Sequence, residues 1–421
     1  MKRLLLIAYF YPPLGGPGVQ RPVKLVKYLE KHGISTDVIT VKAIVFHSSD
    51  NSLLKEERAD QIIRTSSLDL MFMLKKFSKP KTNKTLYFST PEKYKKIIRN
   101  LFPIDDKIGW LPYAVKAGKK LIKQNNYDAV MTTMGPYTSG LAAYKLAAKY
   151  KLPLIIDYRD HWTLNPYITF ITKFHKLYAA KWENRIINYA SVVSVVSETM
   201  KEDLIGAFGI QLKKKTKVMY NGWDKEDFSN IVIRKNENKV IKYIGNFYSH
   251  RTPKFFIKAL ELLQSRGKLP ENVDIEFTGN YYKETLDLLL GSSVRNVIRV
   301  KSQVEHKDAI ESLMNCDALL LFIASHKGKG VLTGKLFEYL RSNKEILAMI
   351  PPNGEAAKIL KKNKHKLICS MEDVEQIAEN FLKLVKIMKN KKVERKINYE
   401  FSRSEQTNEF LNFVKDKISK I

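Results

Sequence analysis

The sequence predicts an α/β protein made of two doubly wound, Rossmann-like domains, and three observations predict it. Short apolar strands alternate with amphipathic helices along most of the chain, the pattern of βαβ units and therefore of parallel sheets. The 421 residues exceed one ordinary core and suit two domains of roughly 200 residues each. A polar stretch over 224–238 separates two similar alternations. The expected layout is a first domain over 1–223, a hinge over 224–238 and a second domain over 239–400. A last helix over 401–421 is expected to pack back toward the first domain.

Residues 4–9 read as a buried first strand. The apolar run is short, and Tyr11, Pro12 and Pro13 end it without a small-residue cleavage site, so a strand is expected there rather than a secretory leader. A glycine loop follows, then a helix over 19–32 with Val19, Val23, Val26 and Leu29 at helical spacing and Gly33 as its stop. Further strands are expected at 36–41, 129–132, 154–157, 192–196 and 217–220, with helices at 110–124, 137–149 and 176–189. Asn221-Gly222 is a strong turn signal. The second alternation places strands at 240–244, 273–278, 298–300, 318–323 and 346–349. Its helices fall at 253–265, 282–290, 306–315, 335–342 and 354–361, with more from 371 onward. Two such domains are expected to face one another across a cleft, with ligands at the carboxyl ends of the strands.

Composition excludes several classes. There are two cysteines, Cys316 and Cys369, hence no disulfide framework, and a reducing, cytoplasmic compartment is expected. No run of about 18 apolar residues suggests a spanning helix. The eight histidines lack zinc-like spacing, and neither a phosphate-binding Walker loop nor a nucleophile elbow occurs. The net charge of +30 favours phosphate, nucleic acid or an anionic membrane. The basic residues are spread along a lysine-rich chain without a nucleic-acid motif, so no nucleic-acid partner is expected. The basic, partly apolar segment 70–102 could rest peripherally on an anionic membrane, or be an ordinary solvated surface.

Four clusters carry candidate chemistry. In VLTGKLFEYL, Thr333 and Gly334 open a helix whose free N–H groups and positive dipole end suit a diphosphate. Lys335 adds a cation on the first turn, and Glu338 lies one turn deeper, where a carboxylate can accept from a ribose diol. An amphipathic helix with a solvated Lys and Glu is the plain alternative. In YIGNFYSHRTP, a strand meets a glycine turn at Gly245 and Asn246, and Arg251 stands before a Pro-initiated helix, placed to fork a phosphate. The loop Gly15, Gly16, Pro17, Gly18 with Arg21 is not a dinucleotide fingerprint, because Arg21 stands where the third glycine belongs. It still allows close approach to the backbone, with Arg21 placed for a phosphate or a carboxylate. In DYRDHW, any of Asp157, Asp160 and His161 could meet an acceptor hydroxyl; a structural salt-bridge cluster is the alternative.

Together these segments resemble glycosyltransferase family 4, a retaining group with the GT-B fold. The opening YFYPPLGGPGVQRPVKLVKYLEKHGISTDVIT, then DYRDHW, SVVSVVSETM, KVMYNGWDKEDF, YIGNF and TGKLFEYL, occur in the family's order over nearly the whole chain. The resemblance implies that Arg251 and Lys335 hold the donor diphosphate, that Glu338 holds the ribose, and that Val304 and its neighbours border the base. Asn221 and Gly222 would mark the domain junction. Gly330 departs from the pattern: the family often places a first glutamate eight residues before the second, and it helps hold the sugar. Asn246 stands where arginine is frequent, and Arg251 where lysine is. The implied activity is transfer of a hexose-type unit from a nucleotide-diphosphate sugar to a glycan or lipid-linked acceptor, in bacterial surface polysaccharide synthesis. No metal or cofactor is expected, since cations and a helix dipole take the leaving charge. The alternatives are a sugar-nucleotide 2-epimerase on the same fold and a non-catalytic sugar-nucleotide-binding relative.

Overall fold

The computed structural model describes the chain outside residues 43, 45–49, 51, 70–71, 73–100, 166–167, 235–236, 248–250, 327, 390–394 and 419–421. The segment expected to touch a membrane, 70–102, lies almost wholly outside the described residues, as do 248–250 of the second candidate loop. The chain divides into two units, Met1–Tyr220 with Arg403–Ile421, and Asn221–Ser402.

Among the described residues, unit 1 holds seven strands: β1 (Arg3–Ile7), β2 (Ser35–Val41), β3 (Gln61–Thr65), β4 (Ala129–Met134), β5 (Leu154–Tyr158), β6 (Val192–Val195) and β7 (Thr216–Val218). All pair in parallel, in the order β3-β2-β1-β4-β5-β6-β7. Its helices are α1 (Pro17–Lys31), α2 (Ser52–Glu56), α3 (Leu111–Gln124), α4 (Thr138–Tyr150), α5 (Lys173–Tyr189) and α6 (Glu198–Phe208). Strands β4, β5 and β6 are buried at every position, as strands covered on both faces must be. Strand β3 is not among the strands the sequence pattern predicts, because its two isoleucines stand between Gln61 and Arg64 on a half-exposed edge. Nor is α6 among the predicted helices; Ser197 opens it by accepting from the Met200 N–H at 3.1 Å.

Unit 2 holds β8 (Lys239–Ile244), β9 (Val273–Thr278), β10 (Ile298–Lys301), β11 (Ala318–Phe322), β12 (Glu345–Met349) and β13 (Ile368–Cys369), in the order β10-β9-β8-β11-β12-β13. Its helices are α7 (Lys254–Ser265), α8 (Lys283–Leu290), α9 (His306–Met314), α10 (Gly334–Ser342), α11 (Glu355–Lys362) and α12 (Val374–Lys389). Unit 2 begins at Asn221, so the stretch expected as a hinge falls within its bounds. Trp223 is buried, its N–H donates to the Phe401 carbonyl at 2.9 Å, and Arg341 lies over its ring. The last helix, α13 (Arg403–Ile418), belongs to unit 1: Phe410, Leu411 and Val414 enter that core, and Gln406 accepts from the Tyr220 N–H at 2.8 Å.

Each sheet has one point where the strand order reverses. The chain leaves β1 for β2 and β3, then resumes on the other side with β4. It leaves β8 for β9 and β10, then resumes with β11. At such points the loops beyond the carboxyl ends of neighbouring strands diverge and leave a crevice. The glycine loop of unit 1 and the glycine turn of unit 2 therefore occupy equivalent places.

Candidate active site

Strand β8 ends at Ile244, and Gly245 follows with φ +132, a conformation that L side chains rarely adopt. A Cβ there would come within 2.1 Å of the Lys335 ammonium. Lys335 thus reaches from the first turn of α10 to the backbone turn after β8. Its Nζ donates to the Tyr243 hydroxyl at 3.3 Å and stands 4.6 Å from the centre of that ring. Arg251 hydrogen-bonds the same hydroxyl, which in turn donates to the Asn246 carbonyl at 3.1 Å. Burial pushes the Tyr243 phenol up, with Arg251 opposing, so the hydroxyl is neutral near pH 7. Two cations, one from a helix's first turn and one from a loop, therefore converge on one neutral oxygen.

Helix α10 begins beside them. Thr333 holds its N-cap position with extended backbone, φ −86 and ψ 149, and makes no side-chain cap bond. Its hydroxyl oxygen is buried and has no hydrogen-bond partner among the described residues. An orphaned buried hydroxyl at a helix N-terminus needs an explanation, and an anion received there supplies one. One turn on, Glu338 Oε1 lies 3.0 Å from His306 Nε2. Asn246 Oδ1 accepts from the Asn280 N–H at 2.8 Å, and Asn280 donates to Gln303 at 2.6 Å, tying the turns after β8, β9 and β10 together. Val304, next in that last loop, is 40% exposed. Gly330 sits in the loop that Lys329 fastens to the start of α11, its carbonyl accepting from the Glu355 N–H at 2.8 Å. A concavity of about 870 Å³ elsewhere in unit 2 runs along the edge strand β10 and is lined by none of these residues. It is an open edge, whereas the cationic set stands at the switch point.

In unit 1 the candidates separate. Arg21 forks Asp157, with Nε and Nη2 donating at 2.8 and 2.7 Å, and also donates to the carbonyls of Met219 and Tyr220 at 2.9 and 3.2 Å. Ser194 donates to Asp157 at 2.6 Å. Burial raises the Asp157 carboxyl, but Arg21 and Ser194 outweigh it and hold it below the usual carboxylate range. Arg21 and Asp157 thus lock α1 onto β5 and the end of β7. Arg159 donates to the carbonyls of Gly18 at 2.7 Å, Met134 at 3.2 Å and Gly135, joining the loop after β5 to the start of α1 and the end of β4. A Cβ on Gly18 would meet the end of the Arg159 side chain, so a larger residue there would make the guanidinium shift. Gly15 is buried, and Gly16, with φ +93, precedes α1.

Asp160 is exposed on the loop after β5. His161 Nε2 lies 3.2 Å from Asp203. Burial lowers the His161 imidazole below its ordinary value, with Asp203 and Asp160 opposing. The loop itself is firmly held: Trp162 stacks on Tyr137 at 4.9 Å, and buried Glu183 on α5 accepts from the Thr163 N–H at 2.9 Å. Tyr243, His306 and Glu183 carry no local signal of a role in the sequence. An aromatic in a parallel strand reads as core, and the partners of His306 and Glu183 are 32 and 20 residues away, beyond any local pattern.

Residues 20–227 match the family model described as Glycosyltransferase Family 4. No curated protein matches the chain by sequence. Among solved structures, the chain is similar to a glycosyltransferase from Rickettsia africae, at 14% identity and TM-score 0.65, covering 99% of this chain and 98% of that one. It is also similar to UDP-GlcNAc 2-epimerase from Neisseria meningitidis bound to UDP-GlcNAc, at 13% identity and TM-score 0.55, covering 99% and 100%. A third is the lipopolysaccharide outer core galactosyltransferase WaaB in its apo form, at 14% identity and TM-score 0.55, covering 99% of each chain. At such identities the likeness concerns the fold, two Rossmann-like units of the GT-B class.

Proposed function

We propose, from the premise that this chain belongs to glycosyltransferase family 4, that it moves a sugar from a nucleotide-diphosphate donor held by unit 2 to an acceptor met by unit 1. The single observation that carries the donor half is the meeting of Lys335 and Arg251 on Tyr243, beside a helix N-terminus whose threonine hydroxyl has no partner among the described residues. In this reading the diphosphate lies against Lys335, Arg251 and the N–H groups at Gly334, with Gly245 and Asn246 bordering it. Glu338 accepts from the ribose, and Val304 borders the base.

As the bond from the anomeric carbon to the diphosphate oxygen breaks, negative charge builds on the leaving group and positive charge on the sugar. Lys335, Arg251 and the α10 dipole stabilise the departing charge as it forms. No divalent cation is needed where fixed cations supply that stabilisation, so chelation of metals should leave the rate unchanged. The acceptor hydroxyl attacks from the face the diphosphate leaves, giving retention, which NMR of the product's anomeric proton would test. On the acceptor side, Asp160 and His161 are the candidates, because Asp157 is committed to Arg21 and Ser194.

The acceptor we propose is a glycan or lipid-linked oligosaccharide of a bacterial surface polysaccharide, the class that the name of WaaB points to. Helix α5 supports a lipid-linked acceptor and peripheral contact with the inner face of the plasma membrane. Its outer face exposes Phe174 and Leu177 among Lys173, Lys176, Lys181 and Arg185, while its Glu183 braces the loop that carries His161. No helix among the described residues is long and apolar enough to cross a membrane.

The likeness to UDP-GlcNAc 2-epimerases favours one second reading, epimerisation of a nucleotide sugar. One experiment separates them: a thermal-shift panel of UDP-, GDP-, ADP- and dTDP-sugars, then product analysis with the stabilising donor. Transfer predicts acceptor-dependent release of nucleoside diphosphate. An epimerised nucleotide sugar formed without acceptor contradicts transfer, and absence of stabilisation by every donor contradicts both.

A further inference from the structure

We infer that His306 is a positioning residue for Glu338, fixing that carboxylate in the orientation that receives the ribose of the donor; this rests on the donor reading given above. His306 opens α9, which packs on α10. Its Nε2 lies 3.0 Å from Glu338 Oε1, and on the other side of the ring Nδ1 lies 3.8 Å from Asp227 Oδ2. Asp227 belongs to the short turn Glu226–Phe228, which itself packs on α9. The three side chains are only 12% (His306 and Asp227) and 17% (Glu338) exposed, so solvent screens their interactions weakly.

A carboxylate only accepts hydrogen bonds, so the imidazole must present Nε2–H to Glu338. That requirement has a consequence for recognition. The last torsion of a glutamate is broad and nearly two-fold, so an unguided carboxylate samples many planes. A vicinal diol needs both acceptor oxygens in one plane. A donor bound to one oxygen from a rigid ring selects that plane before the ligand arrives, which is how a supporting hydrogen bond converts binding energy into discrimination. Asp227 Oδ2 faces the other side of the ring at 3.8 Å, beyond hydrogen-bond distance, so the contact that joins the imidazole to the carboxylate is the one at Nε2. His306 touches no substrate in this scheme; it acts through Glu338.

The test is the ratio of affinities for a ribonucleotide and its 2′-deoxy analogue, measured by calorimetry with UDP and dUDP and with GDP and dGDP. Both members of a pair meet the same folded fraction, so partial unfolding cancels in the ratio. Wild type should prefer the tighter-binding ribonucleotide by about 10- to 100-fold, the scale of one hydrogen bond to a charged group. Glu338→Gln should abolish most of that preference. His306→Ala should reduce it nearly as far, and His306→Gln, which keeps an N–H donor, should restore part of it. If His306→Ala keeps the wild-type ratio while Glu338→Gln loses it, the positioning role is overturned and the donor site stands. If Glu338→Gln also keeps the ratio, or neither ribonucleotide binds the wild type, the donor reading fails and takes this inference with it.

Discussion

At the switch point of unit 1, Arg21 meets Asp157 and Arg159 meets three backbone carbonyls. At that of unit 2, Lys335 and Arg251 meet the hydroxyl of Tyr243. Both places bring basic side chains to glycine turns at the carboxyl edge of a parallel sheet. The difference lies in what the cations touch. A buried guanidinium forked by a carboxylate is compensated, and its task is to hold elements together. Two cations aimed at a neutral phenol receive no cancelling charge from it, which suits an anion that comes and goes. The nature of the partner, more than the clustering of charge, separates architecture from chemistry.

That contrast can be broken by substitution, and the largest effect belongs to unit 1. Asp157→Ala leaves Arg21 buried without its carboxylate and should cost about 3–5 kcal/mol of stability, read from urea unfolding. Nucleoside diphosphate affinity per folded molecule should be unchanged. Lys335→Ala should behave in the opposite way. Turnover should fall by about 100- to 1,000-fold, the loss of one preorganised donor to a developing anion, with the unfolding midpoint near that of the wild type. Next comes Gly245→Ala. The φ of +132 strains any side chain, and the new methyl displaces the Lys335 ammonium. The strain is about 1–3 kcal/mol, and donor affinity should fall with it.

The smallest effect is acid sensitivity. Burial lowers the imidazoles of His161 in unit 1 and His365 in unit 2, with carboxylates opposing in each case. Each stays neutral in the fold at a pH where the unfolded chain takes up a proton. Their contribution is present above the ordinary histidine value, about pH 6.5, and is lost as pH falls through the lowered folded values. Asp157, also held low, keeps its contribution until pH falls below the ordinary carboxylate value, about 3.9. Unfolding free energies at pH 7.5, 5.5 and 3.5 should therefore decline in two stages, and His365→Asn should shrink the first.

Much of this architecture was legible from the chain alone. Fully buried parallel strands such as those around Leu319 and Ile155 are continuous apolar runs, and their carboxyl ends can be read directly. Edge elements were not, because Ile62 and Ile63 between polar neighbours give too short a run. In the candidate site the sequence supplied loops and residue types but not pairings. Nothing near Arg21 announces Asp157, 136 residues away, so both looked like chemistry where the fold makes them a clasp. Nor does the spacing around Lys335 reveal Tyr243, 92 residues away, whose hydroxyl unites the two cations. Long-range partners follow from topology, and local patterns do not encode them.

The most direct test is the affinity of a nucleoside diphosphate for the whole chain, with and without those cations. The ligand is whichever of UDP, GDP, ADP and dTDP raises the wild-type unfolding midpoint most, and the comparison is calorimetric binding to the Arg251→Ala, Lys335→Ala double variant. Loss of two charge-assisted hydrogen bonds predicts affinity lower by at least about 100-fold in a variant that still unfolds cooperatively. Equal affinity in the folded variant, or no nucleotide that raises the wild-type midpoint, would contradict a diphosphate site at the switch point of unit 2.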